Sequence, residues 1–227
     1  MSKILLPVLL AAPVILPALL LASCAGGPGK IVLTPEERSG LTETPYTITD
    51  HKNKANGREM PEWVNSFFEG GAAAVEALDA YHGRYAFIGR NEGNNFAALS
   101  HWAEDFSPEL DFPRLAAARI EARFYSAAPL PDEEYGSFYE SLIRVASDAS
   151  WSSAERNGDF WIRKRYFAGE EENERETWEF LVLVTIDKML FALQLEDVFQ
   201  DINPRPAPTK DQAAAINRVK ERFSEGF

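Results

Sequence analysis

From Pro61 onward the apolar residues recur first at helical spacing, then as a short run, then at helical spacing again. Trp63, Val64, Phe67 and Phe68 share one side of a helix opened by Pro61, which has no N–H to lose at the first helical position. Gly70-Gly71 interrupts that helix, and the pattern resumes to Tyr81 with Val75 and Leu78 inward. Tyr85-Ala86-Phe87-Ile88-Gly89 is an apolar run between Gly83 and Asn91-Glu92-Gly93-Asn94, which predicts a buried strand closed by a turn. Phe96, Leu99, Trp102 and Phe106 predict a helix over 95–106, and Pro108 and Pro113 punctuate the residues after it. Arg114 to Tyr125 is rich in alanine, with Leu115, Ala118, Ala122 and Tyr125 on one stripe, so this helix can lie close to a sheet. Asp132-Glu133-Glu134 brings negative charge to a helix N-terminus, where the macrodipole favours it. Tyr135, Phe138, Leu142, Val145 and Ala149 then mark the clearest amphipathic helix of the chain.

The period changes again at Asp159 to Phe167. Phe160, Ile162 and Tyr166 take one side, and Trp161, Arg163, Arg165 and Phe167 the other. Across an acidic loop from Ala168 to Arg175, Trp178, Phe180, Val182, Val184 and Ile186 form the buried side of a second strand, giving an antiparallel hairpin. In that hairpin Glu179 is placed to face Arg163 or Arg165, a pairing worth under about 1 kcal/mol. Asp187 caps a further helix bearing Leu190, Phe191, Leu195 and Val198, which stops at Asn203-Pro204. Pro204 to Pro208 reads as a stiff connector. Thr209 with Gln212 forms a capping box for a last helix with the thin stripe Ile216, Val219 and Phe223, which either folds back on the body or docks a partner. The pattern as a whole predicts an α+β domain over 61–203, with a small antiparallel sheet of about three strands packed against several helices. Residues 204–227 come after it as connector and terminal helix.

The chain before Pro61 is of another kind. Ile4 to Ala22 is 19 residues without a charge, preceded by Lys3, which is the pattern of a secretory leader over 1–23. Its length is close to the roughly 20 residues of a membrane-spanning helix, so a retained anchor is the competing reading. Pro7, Pro13 and Pro17 count against it, because each removes a helix hydrogen bond that lipid cannot replace. Leu21-Ala22-Ser23-Cys24 resembles the lipobox of bacterial lipoprotein precursors. The resemblance implies cleavage before Cys24, a diacylglycerol thioether on its sulfur and usually N-acylation. Two or more chains hold a protein stably to a membrane where one does so only marginally. Ala25 at the next position leans toward the outer membrane by analogy with enteric sorting. Residues 24–60 have scattered prolines, few aromatics and high polarity, the features of a tether that as a random coil would hold the body on the order of 30 Å from the membrane. Within it, Tyr46-Thr47-Ile48-Thr49 alternates and is a candidate short strand.

Composition narrows the function further. A formal charge of −12 and a pI near 4.8 argue against nucleic acid as a partner, because no cluster of Lys and Arg outweighs the acidic residues around it. The single cysteine, spent on lipid, leaves none for disulfides, so the exported body must rest on its core; 45% hydrophobic and 12% aromatic content is adequate for that.

Four motifs in order carry a wider resemblance: Pro61-x-Trp63-Val64, Tyr85-x-Phe87-Ile88-Gly89, the alanine-rich helix at Ala118-Arg119, and Phe180-Leu181-Val182-Leu183-Val184 running into a helix. The set resembles the twenty-kilodalton bacterial membrane-associated lipoprotein family over roughly Pro61 to Phe199. That family's module is similar to the N-terminal domain of flagellar assembly protein T. The resemblance implies an α+β module on an envelope lipoprotein, a partner among envelope or flagellar assembly proteins, and no catalytic residues to carry over. This chain departs from the family pattern at 94–113, where a segment with its own helix is interposed.

Motifs for chemistry are few. His51, His82 and His101 lack metal-ligand spacing, so they read as surface or satisfied core residues, and no P-loop, dinucleotide-binding glycine pattern, HExxH or nucleophile elbow occurs. His101-Trp102-Ala103-Glu104-Asp105 places a histidine and a carboxylate on one helix face, as any amphipathic helix does by chance. Glu170-Glu171-Glu172-Asn173-Glu174 lacks the spaced ligands and central glycine of a calcium loop and reads as a solvated hairpin tip. No cofactor or metal is expected. Two functions remain. One is a non-enzymatic structural or adaptor lipoprotein held by acyl chains on Cys24; the other is a small-ligand binder or weak hydrolase using His101 with Glu104 or Asp105.

Overall fold

The structure is a computed structural model that describes residues 46–127, 136–166, 175–202 and a few positions between 209 and 221. Four strands and five helices alternate along it: β1 (Tyr46–His51), α1 (Glu62–Glu76), β2 (Arg84–Gly93), α2 (Phe96–Asp105), α3 (Pro108–Ala127), α4 (Gly136–Asp148), β3 (Glu155–Tyr166), β4 (Arg175–Asp187) and α5 (Lys188–Asp201). The strands form one antiparallel sheet in the order β1-β3-β4-β2. The fold is α+β, with four strands where about three were expected. The additional strand is β1, which lies inside the stretch assigned to the tether over 24–60. Its Tyr46 pairs with Tyr166 and its His51 with Ile162, so the body begins at Tyr46 and not at Pro61.

The sheet divides two cores. On one face α2, α3, α4 and α5 bury Leu99, Phe112, Ile120, Leu142, Phe191 and their neighbours against Tyr85, Phe87, Phe180, Val182, Val184 and Ile186. On the other face α1 sets Trp63, Val64, Phe67 and Val75 against Ala86, Ile88, Phe160, Ile162, Leu181 and Leu183. β4 is therefore buried on both sides, not only on the Trp178–Ile186 side that its alternation suggested. It pairs with β2 and β3 together, and a central strand covered on both faces needs apolar residues at every position.

Local chemistry explains most of the boundaries. Asn95 caps α2 by accepting from the Ala98 N–H at 3.2 Å, and Asp187 caps α5 by accepting from Met189 and Leu190. Gly70-Gly71 kinks α1 without ending it, because Gly71 adopts φ 68°, a left-handed conformation open to glycine. Pro113 falls inside α3, and the helix starts at Pro108, earlier than the 114–125 pattern indicated.

β2 runs four residues past Gly89, through the expected turn Asn91 to Gly93, because β4 continues opposite it and pairs Asn91 with Phe180 and Gly93 with Trp178. Turn chemistry here yields to a paired neighbour. The interposed segment 94–113 supplies α2 and Phe106, whose ring lies against Gly89 so closely that a Cβ there would sit 2.6 Å from its Cε2. Leu190, expected inward, is 40% exposed, and Phe199 is buried with Phe191, Leu195 and Val198 instead. Helical positions recur after Thr209, and the Lys220 ammonium lies 5.6 Å from the Phe199 ring. The leader, Cys24, Tyr135, the tip Glu170–Glu174, the connector 204–208 and the stripe Ile216, Val219 and Phe223 lie outside the described residues.

Candidate functional site

His101, Glu104 and Asp105 stand on the open face of α2. The His101 side chain is 79% exposed, that of Glu104 is 68% exposed, and Nδ1 to Oε2 is 3.8 Å. Glu104 accepts from Ser100 Oγ at 3.1 Å, so its hydrogen bond goes along its own helix. A pair in bulk solvent has a high local dielectric and no walls to orient a substrate, so nothing in this arrangement tunes it for acid–base work. Of the other histidines, His82 is exposed, and His51 is half-buried against Phe160, its ring centroid 5.9 Å away. The His51 Nδ1 has no hydrogen-bond partner among the described residues, so His51 is not the satisfied core histidine expected.

Charge is concentrated under the α1 side of the sheet. Lys164 and Glu179 are 1% and 0% exposed and form an ion pair, and Arg90 contacts the same carboxylate. Glu92 accepts from Tyr166 Oη and Thr177 Oγ1, both at 2.8 Å, and its other oxygen is 3.7 Å from Lys164 Nζ. The Tyr46 ring covers the Lys164 ammonium at 4.2 Å. Burial works to raise the Glu92 pKa. It is outweighed by the bonds from Tyr166 and Thr177 and by the charges of Lys164 and Arg90, so the carboxyl ionises below its ordinary value. Tyr166 is pushed well above the ordinary tyrosine value by burial first and by its bond to Glu92 second.

Glu179 therefore does not face Arg163 or Arg165. Its register partner is Ile162, and its side chain leaves on the Leu181 side of the sheet, opposite to both arginines. The sequence does carry this signal. Lys164 falls on the Phe160, Ile162, Tyr166 stripe and Glu179 on the Leu181, Leu183 stripe, so each is a charge inside an apolar period.

A second set of polar contacts closes the β2 edge. Glu76 of α1 accepts from the Ala86 N–H at 3.0 Å, Arg119 of α3 donates to the Ala86 carbonyl at 3.1 Å, and the two side chains meet at 2.7 Å. Helices on opposite faces thus reach around the sheet and occupy main-chain groups that would otherwise invite another strand.

On the four-helix side, one end of the sheet carries aromatic rings and guanidinium groups. Phe96, the first residue of α2, packs against Trp161 at 5.4 Å, Trp178 at 4.8 Å and Phe180 at 5.3 Å between centroids, with Trp161 and Trp178 5.1 Å apart. Phe96 is 38% exposed and both tryptophans are only half-buried. Beyond them Arg163 lies over Trp178 at 5.3 Å. Glu176 accepts from Arg163, and from Arg165 Nε at 3.1 Å and Nη2 at 2.9 Å. Hydrogen bonds from Arg165, and then from Arg163, hold the Glu176 carboxyl below its ordinary pKa. Sequence alternation placed Trp161, Arg163 and Arg165 together; the contribution of Phe96 needs the packing of α2 on β4.

Among the described residues no three His, Cys, Asp or Glu side chains gather as a metal site, and no helix is long and apolar enough to cross a membrane. No protein-family model, curated protein or solved structure matches this chain.

Proposed function

We propose that this chain is a lipid-anchored envelope protein, held by acyl chains on Cys24 and acting as a non-enzymatic adaptor or structural component, most naturally at the outer membrane. The observation that carries the non-enzymatic part is where the reactive side chains lie. The His101 and Glu104 pair stands in solvent at 79% and 68% exposure, while the charges drawn under the sheet are engaged with one another. The leader and Leu21-Ala22-Ser23-Cys24 support the anchor, as does the motif order that resembles the twenty-kilodalton lipoprotein family. In this fold those motifs supply core packing in α1, β2, α3 and β4, as a scaffold would use them. The 21 residues between Cys24 and Tyr46 limit the body to about 75 Å from the acylated residue even at full extension.

Labelling cells with an alkyne-tagged palmitate analogue tests the anchor. The parent protein is expected to take label and to partition with envelopes, and Cys24→Ser to do neither. A parent protein that takes no label, with Cys24→Ser still wholly in the envelope fraction, overturns it. Capture from detergent-solubilised envelopes tests the adaptor role, which requires an envelope component to come down in fixed proportion to the protein.

A further inference from the structure

We propose that the strip formed by Phe96, Trp161, Trp178, Arg163, Arg165 and Glu176 binds an acidic glycan, a polysaccharide strand with carboxylates at regular intervals. The proposal rests on the envelope reading above and names the partner class that this surface fits.

The rings meet at 73° to 87°, so Phe96 and the two tryptophans buttress one another and part of each stays open. A cluster of partly open aromatic rings on a soluble surface marks a place where something is covered. The rings sit on the two central strands and the capped first turn of α2. They are therefore held by paired backbone and need little ordering when a ligand arrives. A sugar ring presents C–H groups on its face and hydroxyls around its rim. The aromatic rings match the first, and the guanidinium and carboxylate groups beside them match the second.

Charge selects among glycans. Arg163 and Arg165 share one carboxylate, Glu176, so the fringe of the strip carries one net positive charge on a chain whose formal charge is −12. A guanidinium has five N–H donors in a planar fork suited to carboxylate, and Glu176 takes only one of those of Arg163. A ligand of dense charge such as nucleic acid would be repelled by the chain as a whole, whereas one carboxylate per repeat meets the local excess.

The test uses the full chain in detergent and purified insoluble peptidoglycan sacculi as the probe, with chitin, a neutral glycan, as the control. The full chain is expected to sediment saturably with sacculi and about tenfold less with chitin, and to lose about tenfold in affinity in each of Trp178→Ala and Arg163→Gln, the scale of one lost charge-assisted hydrogen bond. Arg165→Gln, altering an exposed side chain, guards against an effect of misfolding: it is expected to weaken binding with an unchanged melting temperature. Cys24→Ser is expected to bind sacculi as the parent does, so a failed anchor and a failed glycan site give different results. Failure to sediment, equal binding to chitin, or binding indifferent to all three strip substitutions overturns the proposal.

Discussion

The two faces of the sheet are stabilised by different physics. The face under α2 to α5 is packed with aromatic rings: Phe87 on Phe112 at 4.7 Å, and Trp151 stacked on Phe191 at 4.8 Å and 15°. The face under α1 is apolar for half its length and ionic for the rest, where Arg90, Glu92, Lys164 and Glu179 replace hydrocarbon. The difference comes from cover. Four helices supply enough apolar surface to fill one side, whereas a single kinked helix leaves part of the other to be closed by side chains that must reach and pair. An ion pair removed from water regains its desolvation cost only when each charge is answered, so this half of the molecule tolerates the loss of one partner poorly.

The largest effects expected set the two faces against each other. Phe191→Ala opens a cavity in the aromatic core and costs about 3–5 kcal/mol. Glu179→Ala leaves Lys164 and Arg90 without their shared carboxylate and costs a similar amount, about 3–5 kcal/mol. Lys164→Met combined with Glu179→Gln removes both opposed charges and is expected to restore about half of the Glu179→Ala loss, with no such rescue for Phe191→Ala. Urea denaturation of the four proteins measures all of this, and a Glu179→Ala variant as stable as the parent would show that the ionic half contributes only solvated surface charge.

A smaller effect sharpens the same contrast at the rim of the aromatic side. Gly89→Ala puts a Cβ 2.6 Å from Phe106 Cε2, and the overpacking is expected to cost about 1–3 kcal/mol. Pairing it with Phe106→Leu is expected to recover part of that cost, which thermal melts of the single and double variants measure.

The smallest expected effect is one of pH dependence and belongs to the α1 side. Glu92 ionises below its ordinary value in the folded protein, so its stabilisation is present above about pH 4.5 and is lost as pH falls through the depressed value. Tyr166 has a raised pKa, so its contribution is present below about pH 10 and is lost as pH rises toward the raised value. Glu92→Gln is expected to flatten the acid limb of the stability profile and Tyr166→Phe the alkaline limb, both read from denaturant midpoints across pH. Identical limbs in parent and variants would remove these groups from the account.

Much of the fold is legible along the chain. The amphipathic stripes of α1, α4 and α5, the cap at Asp187 and the β3–β4 hairpin all arise from spacing and from residue types whose backbone preferences are local. The extent of β2 is not, because whether Asn91-Glu92-Gly93 turns or pairs depends on the presence of β4 opposite it. Nor is the membership of β1, whose six residues become a strand only beside β3. At the sites, alternation grouped Trp161 with Arg163 and Arg165, but a charge inside an apolar stripe, such as Lys164, gives no indication along the chain of which carboxylate will answer it.

The sequence alone determined the kinds of element and their order, because helical period, strand alternation and end caps are properties of neighbours within a few residues. Only the tertiary structure decided which strands border which, and hence that Glu179 meets Lys164 and Arg90, Glu76 meets Arg119 around the sheet edge, and Phe96 closes on Trp161 and Trp178. Those meetings join residues remote in the chain, and contacts of that kind are fixed by the burial of whole faces.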